Sequence, residues 1–554
     1  METLKRLTLS AVVAMLAAVV PTFACTNLIV TPGASTDGSS LVSYSADSYG
    51  MFGHLCHYPA AIHPKGSMRS IYDWDTGKLL GEIAEAEQTY NVIGNINEHQ
   101  VTIAETTFTG REELIDTTGI MDYGSLIYVA LQRSRTAREA IQVMTDLVAE
   151  YGYYSSGESF TIADPREVWI MEMIGKGPRL KGAVWVAIRI PDGCIAAHAN
   201  QARIHNFPLN DKENCIYSPD VITFARKQKY FNGKNEEFSF ADAYAPLDFG
   251  ARRYCEARVW AFYNMFNKEV GEKYLSYITG QSDEPLPLYI RPDRKLSMRN
   301  LQLAMRDHYE GTPLDITQDL GAGAWQMPYR PSPLTFKADG KEFFNERPIS
   351  TQQTAWVFVS QMRQSMPAPV GGVLWFGTDD ANLTVFTPIY CCTTTVPECY
   401  SDKTADGVTF SWKSSFWVFN WVANMTYMRY SQMIDDVRAR QNHLEESFLK
   451  SQKDIERRAT ELYAQSPEEA GKYLTGYSIA CAQQALTEWR KLGEYLIVRY
   501  NDMVIKQVNP DGSFKVTPEG QCAPVKRPGY PEEFNKRVAD ETGEQYLIKK
   551  EATH

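Results

Sequence analysis

The chain has 554 residues, 44% hydrophobic and 22% charged, with a formal net charge of −11. This is the balance of an ordinary soluble protein, long enough for one large domain or two to three smaller ones. The negative charge disfavours nonspecific attraction to nucleic acid or to an anionic membrane surface.

Lys5 and Arg6 precede an apolar run from Leu9 to Val20. That run is too short for a membrane-spanning helix, which needs about 20 residues. Thr22-Phe23-Ala24 then sets small residues at the −3 and −1 places of a signal-peptidase cut, so residues 1–24 read as a secretory signal. The segment carries Glu2, Lys5 and Arg6, so its removal leaves the remaining chain one charge more negative. No later apolar run reaches bilayer length, so the product is expected in the periplasm or outside the cell, with no membrane association after signal removal. The cut leaves Cys25 first. A lipoprotein signal favours an aliphatic residue at −3 and a small one at −2; Thr22 and bulky Phe23 stand there instead, which favours a free N-terminal cysteine. The other nine cysteines show no CxxC pair. Cys391-Cys392 and Cys399 bracket a Thr/Pro loop and either close a local bridge or stay as buried thiols.

Strand signals begin at Thr26–Val30 and resume from Ser39 to Tyr44 after the Asp37-Gly38 turn. Val92–Gly94 and Val101–Thr107 read as strands joined through Asn95-Ile96-Asn97-Glu98. Residues 124–150 read as helical, with a capping box at Thr136-Ala137-Arg138-Glu139. Ser159–Ala163 and Val168–Ile174 form a hairpin about Asp164-Pro165-Arg166-Glu167, followed by strands at Val184–Ile190 and Cys194–Ala199. Residues 205–350 are rich in Pro, Asn and charge, with helical patches such as Tyr254–Phe266. Val373–Phe376 and Leu383–Phe386 read as strands across a polar turn. Ile434, Val437, Gln441, Leu444, Phe448, Ile455, Ala459 and Leu462 then mark an amphipathic helix, broken once. Ser466-Pro467-Glu468-Glu469 starts a second helix, and Asn509-Pro510-Asp511-Gly512 turns a small terminal hairpin. Strands, helices, then strands again indicate layered α+β architecture. Three parts are expected: the signal at 1–24, a catalytic domain with insertions at 25–410, and a mainly helical region at 411–554.

An N-terminal cysteine carries its own base. Its α-amine has a reference pKa of about 7.7, against about 8.5 for the thiol and about 10.4 for a lysine. An amine poised near neutrality suits general-base work on the thiol beside it. Attack on a carbonyl then gives an acyl-enzyme that water resolves. No GxSxG elbow is present, which argues against a serine α/β-hydrolase. His54-Leu55-Cys56-His57 lacks a second ligand cluster, so no metal and no other cofactor is expected.

Cys25-Thr26-Asn27-Leu28-Ile29-Val30 with Ala34-Ser35-Thr36-Asp37-Gly38-Ser39-Ser40 resembles the mature start of the C69 dipeptidases, relatives of penicillin V acylase and bile salt hydrolase. That resemblance implies the αββα sandwich of the N-terminal-nucleophile hydrolases, with insertions and a helical C-terminal part. It also implies hydrolysis of small peptides through Cys25. The family's Arg-Asn-x-Asp element corresponds to Tyr44-Ser45-Ala46-Asp47, so Asp47 is kept as partner of the Cys25 amine and thiol while Arg and Asn are replaced. His198-Ala199-Asn200-Gln201 is similar to the strand end whose Asn donates to the oxyanion, a role that falls on Asn200. Ala104-Glu105-Thr106-Thr107-Phe108 is similar to the strand near that site, where the acylases place an Asn at the position of Thr107. Two alternatives stay open: an N-acyl amidase and a noncatalytic exported binding protein.

Overall fold

Strand Val168–Gly175 shows how the sequence builds layers. Side chains alternate along a strand. Val168, Ile170 and Ile174 enter one hydrophobic cluster, and Trp169, Met171 and Met173 enter another. A strand apolar on both faces belongs to a sheet covered on both sides.

The structure is a computed structural model that describes residues 25–548. The export signal read from residues 1–24 lies outside them. Among the described residues, two large antiparallel sheets dominate. The first has seven strands in the order Tyr289–Ile290, Ile195–His198, Thr26–Val30, Ser40–Asp47, Thr354–Met362, Val373–Thr378 and Thr387–Tyr390. The second has eight, in the order Cys215–Tyr217, Ala183–Arg189, Val168–Gly175, Gly157–Ala163, Thr102–Thr109, Ile96–Asn97, Val92–Ile93 and His57–Tyr58. The sheets meet face to face where Thr26–Val30 and Ser40–Asp47 pack on Thr102–Thr109. Asn27 Nδ2 crosses the gap to donate to Glu105 O at 2.8 Å, and Thr102 Oγ1 donates to Ser360 Oγ at 3.1 Å.

Helices Tyr123–Arg133 and Ala137–Tyr151 cover the outer face of the eight-stranded sheet through Leu126, Val129, Ile141 and Met144. The Thr136 cap is present, accepting from Glu139 N at 3.2 Å, but the expected reciprocal half is displaced by one residue: Glu139 Oε2 accepts from Arg135 N. Helices Ser415–Met428, Tyr430–Tyr463 and Pro467–Tyr500 pack on the other sheet at Val373–Thr378 and Thr387–Tyr390. The expected mixed α and β class is therefore present, with helices outside both sheets. No helix among the described residues is long and apolar enough to cross a membrane.

Three local expectations are corrected, and one pair of alternatives is settled. Ile96–Asn97, read as a connection, is a strand paired with Val92–Ile93 across Gly94, whose φ of 54° makes the tight turn. Leu383–Phe386 is not a strand, because its backbone is claimed elsewhere: Arg306 and Gln441 donate to Thr384 O, and Phe386 N donates to Glu445 Oε1. The strand comes next, at Thr387–Tyr390, an edge position where Pro388 costs no ladder bond. The long helix Tyr430–Tyr463 is unbroken. Its buried polar residues are all partnered, Glu445 with Arg306 and Glu456 with Arg363. No bridge joins Cys391 or Cys392 to Cys399; all ten cysteines are free thiols.

Candidate active site

The strand register assembles the site. Thr26 lies opposite Ser45, and Asn27 opposite His198. Continuing both ladders by one or two residues brings Cys25 beside Ala46-Asp47 on one flank and Asn200 on the other. Three residues singled out from the sequence thus meet at one end of the seven-stranded sheet.

Cys25 is 3% exposed. Its thiol lies 3.7 Å from Tyr44 Oη. Burial pushes the thiol pKa well up, and the charges of Glu105 and Asp47 push it further. A thiolate forms here only if a base takes the proton on the spot. The Asp47 carboxylate is fully buried, accepting from Arg347 Nη2 at 2.6 Å, Thr354 Oγ1 at 2.7 Å and Ser45 Oγ at 3.0 Å.

Arg258, from helix Ala257–Phe266, ties the two flanks together. Its Nη1 donates to Cys25 O at 2.6 Å and Thr26 Oγ1 at 2.8 Å; its Nη2 donates to Ala199 O at 3.2 Å and Asn200 Oδ1 at 2.8 Å. Burial, then the neighbouring Arg347, lowers its pKa to about 10, which leaves it charged at neutral pH. Asn200 Nδ2 donates to Thr107 O at 2.8 Å. The Thr107 hydroxyl turns away from this contact and donates to Glu158 Oε1 at 2.7 Å.

His198 is no rival base. It is fully buried between the hydroxyls of Thr106 at 2.8 Å and Thr161 at 2.7 Å. Burial, then Arg203, lowers its pKa to about 3, so the ring is neutral. His54 and His57 part company: His54 Nε2 meets Cys56 Sγ at 3.4 Å, while His57 Nε2 meets Asn91 Oδ1 at 2.8 Å. Among the described residues, no group of three or more His, Cys, Asp or Glu is placed to hold a metal ion.

The model of peptidase family C69 matches residues 53–443, more than half of the chain. The chain belongs to peptidase family C69. It is similar to a probable dipeptidase of Salmonella dublin, 27% identical over 385 residues, covering 66% of this chain and 81% of the relative. A probable dipeptidase of Latilactobacillus sakei is 25% identical over 432 residues, 74% of this chain and 82% of its own. Dipeptidase A of Lactobacillus helveticus is 23% identical over 439 residues, 74% and 84% respectively. As a C69 member the protein is a cysteine-type peptidase hydrolase.

Sequence reading missed Arg258, Arg347, Glu105 and Glu158. Arg258 did leave a signal, an arginine set directly before the apolar run Val259-Trp260-Ala261-Phe262. Glu105 left another, an acid inside a β-prone run. Neither signal says what lies opposite.

Proposed function

We propose that this C69 peptidase is an exported dipeptidase whose nucleophile is the Cys25 thiol, freed as the N-terminal residue by a cut after Ala24. The observation that carries the reading is the register that gathers Cys25, Asp47 and Asn200 at one sheet end. The matched family span begins after Cys25, so the nucleophile rests on that register. The substrate class follows the dipeptidase names of the relatives. The facing sheets with helices outside support the αββα sandwich of the N-terminal-nucleophile hydrolases.

In this mechanism the Cys25 α-amine takes the thiol proton and the sulfur attacks the carbonyl carbon of the peptide bond. Asn200 Nδ2 donates to the oxygen that becomes negative. The ammonium returns the proton to the departing amine, leaving a thioester. Water, deprotonated by the same amine, attacks the thioester and restores the free thiol. Asp47 anchors the amine. Arg258 fixes the Cys25 carbonyl and the Asn200 side chain together. Thr107 holds Asn200 through its carbonyl.

Intact-mass analysis of the exported protein is expected to show a chain beginning at an unmodified Cys25. Alkylation of that thiol is expected to abolish dipeptide hydrolysis. A retained signal, a lipid on Cys25, or full activity after alkylation would overturn the proposal.

A further inference from the structure

Two buried acids beside the nucleophile lack the arginine counter-ion that several other buried acids have. Asp47, Glu256, Glu445 and Glu456 are each 5% exposed or less, and each faces an arginine. Glu105 and Glu158, at 2% and 1% exposure, form no ion pair among the described residues. One oxygen of each is used: Tyr44 Oη donates to Glu105 Oε1 at 2.7 Å, and Thr107 Oγ1 to Glu158 Oε1 at 2.7 Å. The other oxygens, Glu105 Oε2 and Glu158 Oε2, are buried with no donor outside the pair, and the two side chains stand close enough for one, when protonated, to hydrogen-bond the other. A third buried acceptor joins them. Asn27 is fully buried, its Nδ2 is spent on Glu105 O, and its Oδ1 has no partner. All three orphans are acceptors. Burying acceptors unmatched is costly, and the group that satisfies several at once is a cation with several N–H donors.

The place of these acceptors decides which cation. A single phenolic hydroxyl, Tyr44 Oη, separates Glu105 from the Cys25 sulfur. In a peptide the α-nitrogen lies about 2.5 Å from its own carbonyl carbon, given the standard N–Cα and Cα–C bonds and the angle between them. When Cys25 attacks the first carbonyl of a dipeptide, the α-ammonium must therefore sit within a few ångströms of the sulfur. We propose that Glu105 and Glu158 bind the free α-ammonium group of the peptide substrate, with Asn27 Oδ1 as a further acceptor. The inference rests on the dipeptidase reading above and adds the groups that make the enzyme demand an unblocked N-terminus. An N-acyl substrate places an uncharged amide or a hydrocarbon where two acids require a cation, so it is rejected.

The test compares alanyl-alanine with its des-amino analogue propionyl-alanine, which differs only in lacking the ammonium. Turnover is measured with the mature enzyme, and binding by calorimetry with the mature Cys25→Ala protein, which keeps the subsite. The parent is expected to favour the dipeptide by about 10²-fold or more in kcat/KM and in affinity, the discrimination of a site built for a missing polar group. In Glu105→Gln, matched in shape, that preference, read as the ratio of the two compounds, should collapse to within a few-fold of one. Glu158→Gln should lower it partway, and serves alone if Glu105→Gln fails to fold by circular dichroism. Glu105→Asp should recover part of the preference. Hydrolysis of both compounds without preference for the amine, or an unchanged preference in the glutamine variants, overturns the subsite and leaves the peptidase reading standing. If the mature parent neither binds nor hydrolyses alanyl-alanine, the dipeptidase reading falls and the subsite falls with it.

Discussion

Asn200 has a backbone φ of 61°, in the left-handed region that asparagine enters more readily than most residues. The strand Ile195–His198 ends just before it, and the turn lifts its amide off the sheet toward Thr107. Arg258 takes its oxygen and Thr107 O its nitrogen, so the amide is oriented from both ends. Asp47 differs in kind, because its carboxylate answers the buried charge of Arg347. These two residues should therefore fail differently. Asn200→Ala is expected to lower kcat by about 10²–10³, the loss of one oxyanion donor. Its thermal midpoint should stay close to the parent's. Asp47→Ala removes the carboxylate that Arg347 Nη2 is paired with and should cost about 3–5 kcal/mol of stability besides activity. Activity kinetics and thermal unfolding on both variants check this. Activity within a few-fold of the parent in Asn200→Ala removes it as donor; an unmoved midpoint in Asp47→Ala contradicts the role of the ion pair. Cys25, Asp47 and Asn200 were legible because each ends a strand within a short recognisable stretch. Arg258 was not, since it reaches Cys25 across 233 positions and only folding brings it there.

The elements were legible wherever a period ran uninterrupted. Strand Thr26–Val30, the helix capped by Thr136 and the helix capped by Ser466 stand where their patterns place them. The errors share one cause, side chains from afar taking over local backbone or burying polar positions. Leu383–Phe386 looked like a strand because its hydrophobicity does not reveal that Glu445 and Arg306 hold its backbone. The break expected in Tyr430–Tyr463 is absent, and its polar positions Gln441, Glu445 and Glu456 are buried and paired. The C-terminal helices are more than an appendage. Phe419 stacks on Trp489 with ring centroids 4.9 Å apart. Val437, Leu444, Phe448 and Leu474 share one hydrophobic cluster with Leu28 and Val357 of the sheet. A chain ending at residue 410 would expose that cluster and orphan Arg306 and Arg363. Such a truncation of the mature protein is expected to aggregate or to lose cooperative unfolding, as read by calorimetry. A soluble, cooperatively melting 25–410 fragment would show that the helices are a separable domain.

At the scale of the whole molecule, the layers explain how Cys25, the proposed nucleophile, is held in place. Thr26–Val30 is an interior strand of its sheet, flanked by Ile195–His198 and Ser40–Asp47. An interior strand is fixed from both sides, so Cys25, the residue directly before it, is flanked by a strand on either side. The facing sheet adds Glu105 and Thr107 from strand Thr102–Thr109, and the outer helix Ala257–Phe266 adds Arg258. The alternation of strands and helices made the layering legible, but not which strand ends face each other. The central claim is that the α-amine of Cys25 is the base. The measurement that tests it most directly is dipeptide hydrolysis by mature protein carrying one added alanine before Cys25, with circular dichroism confirming the fold. The thiol remains, but its base becomes a non-basic amide, so the account predicts no turnover; full activity in the folded, extended protein would contradict it.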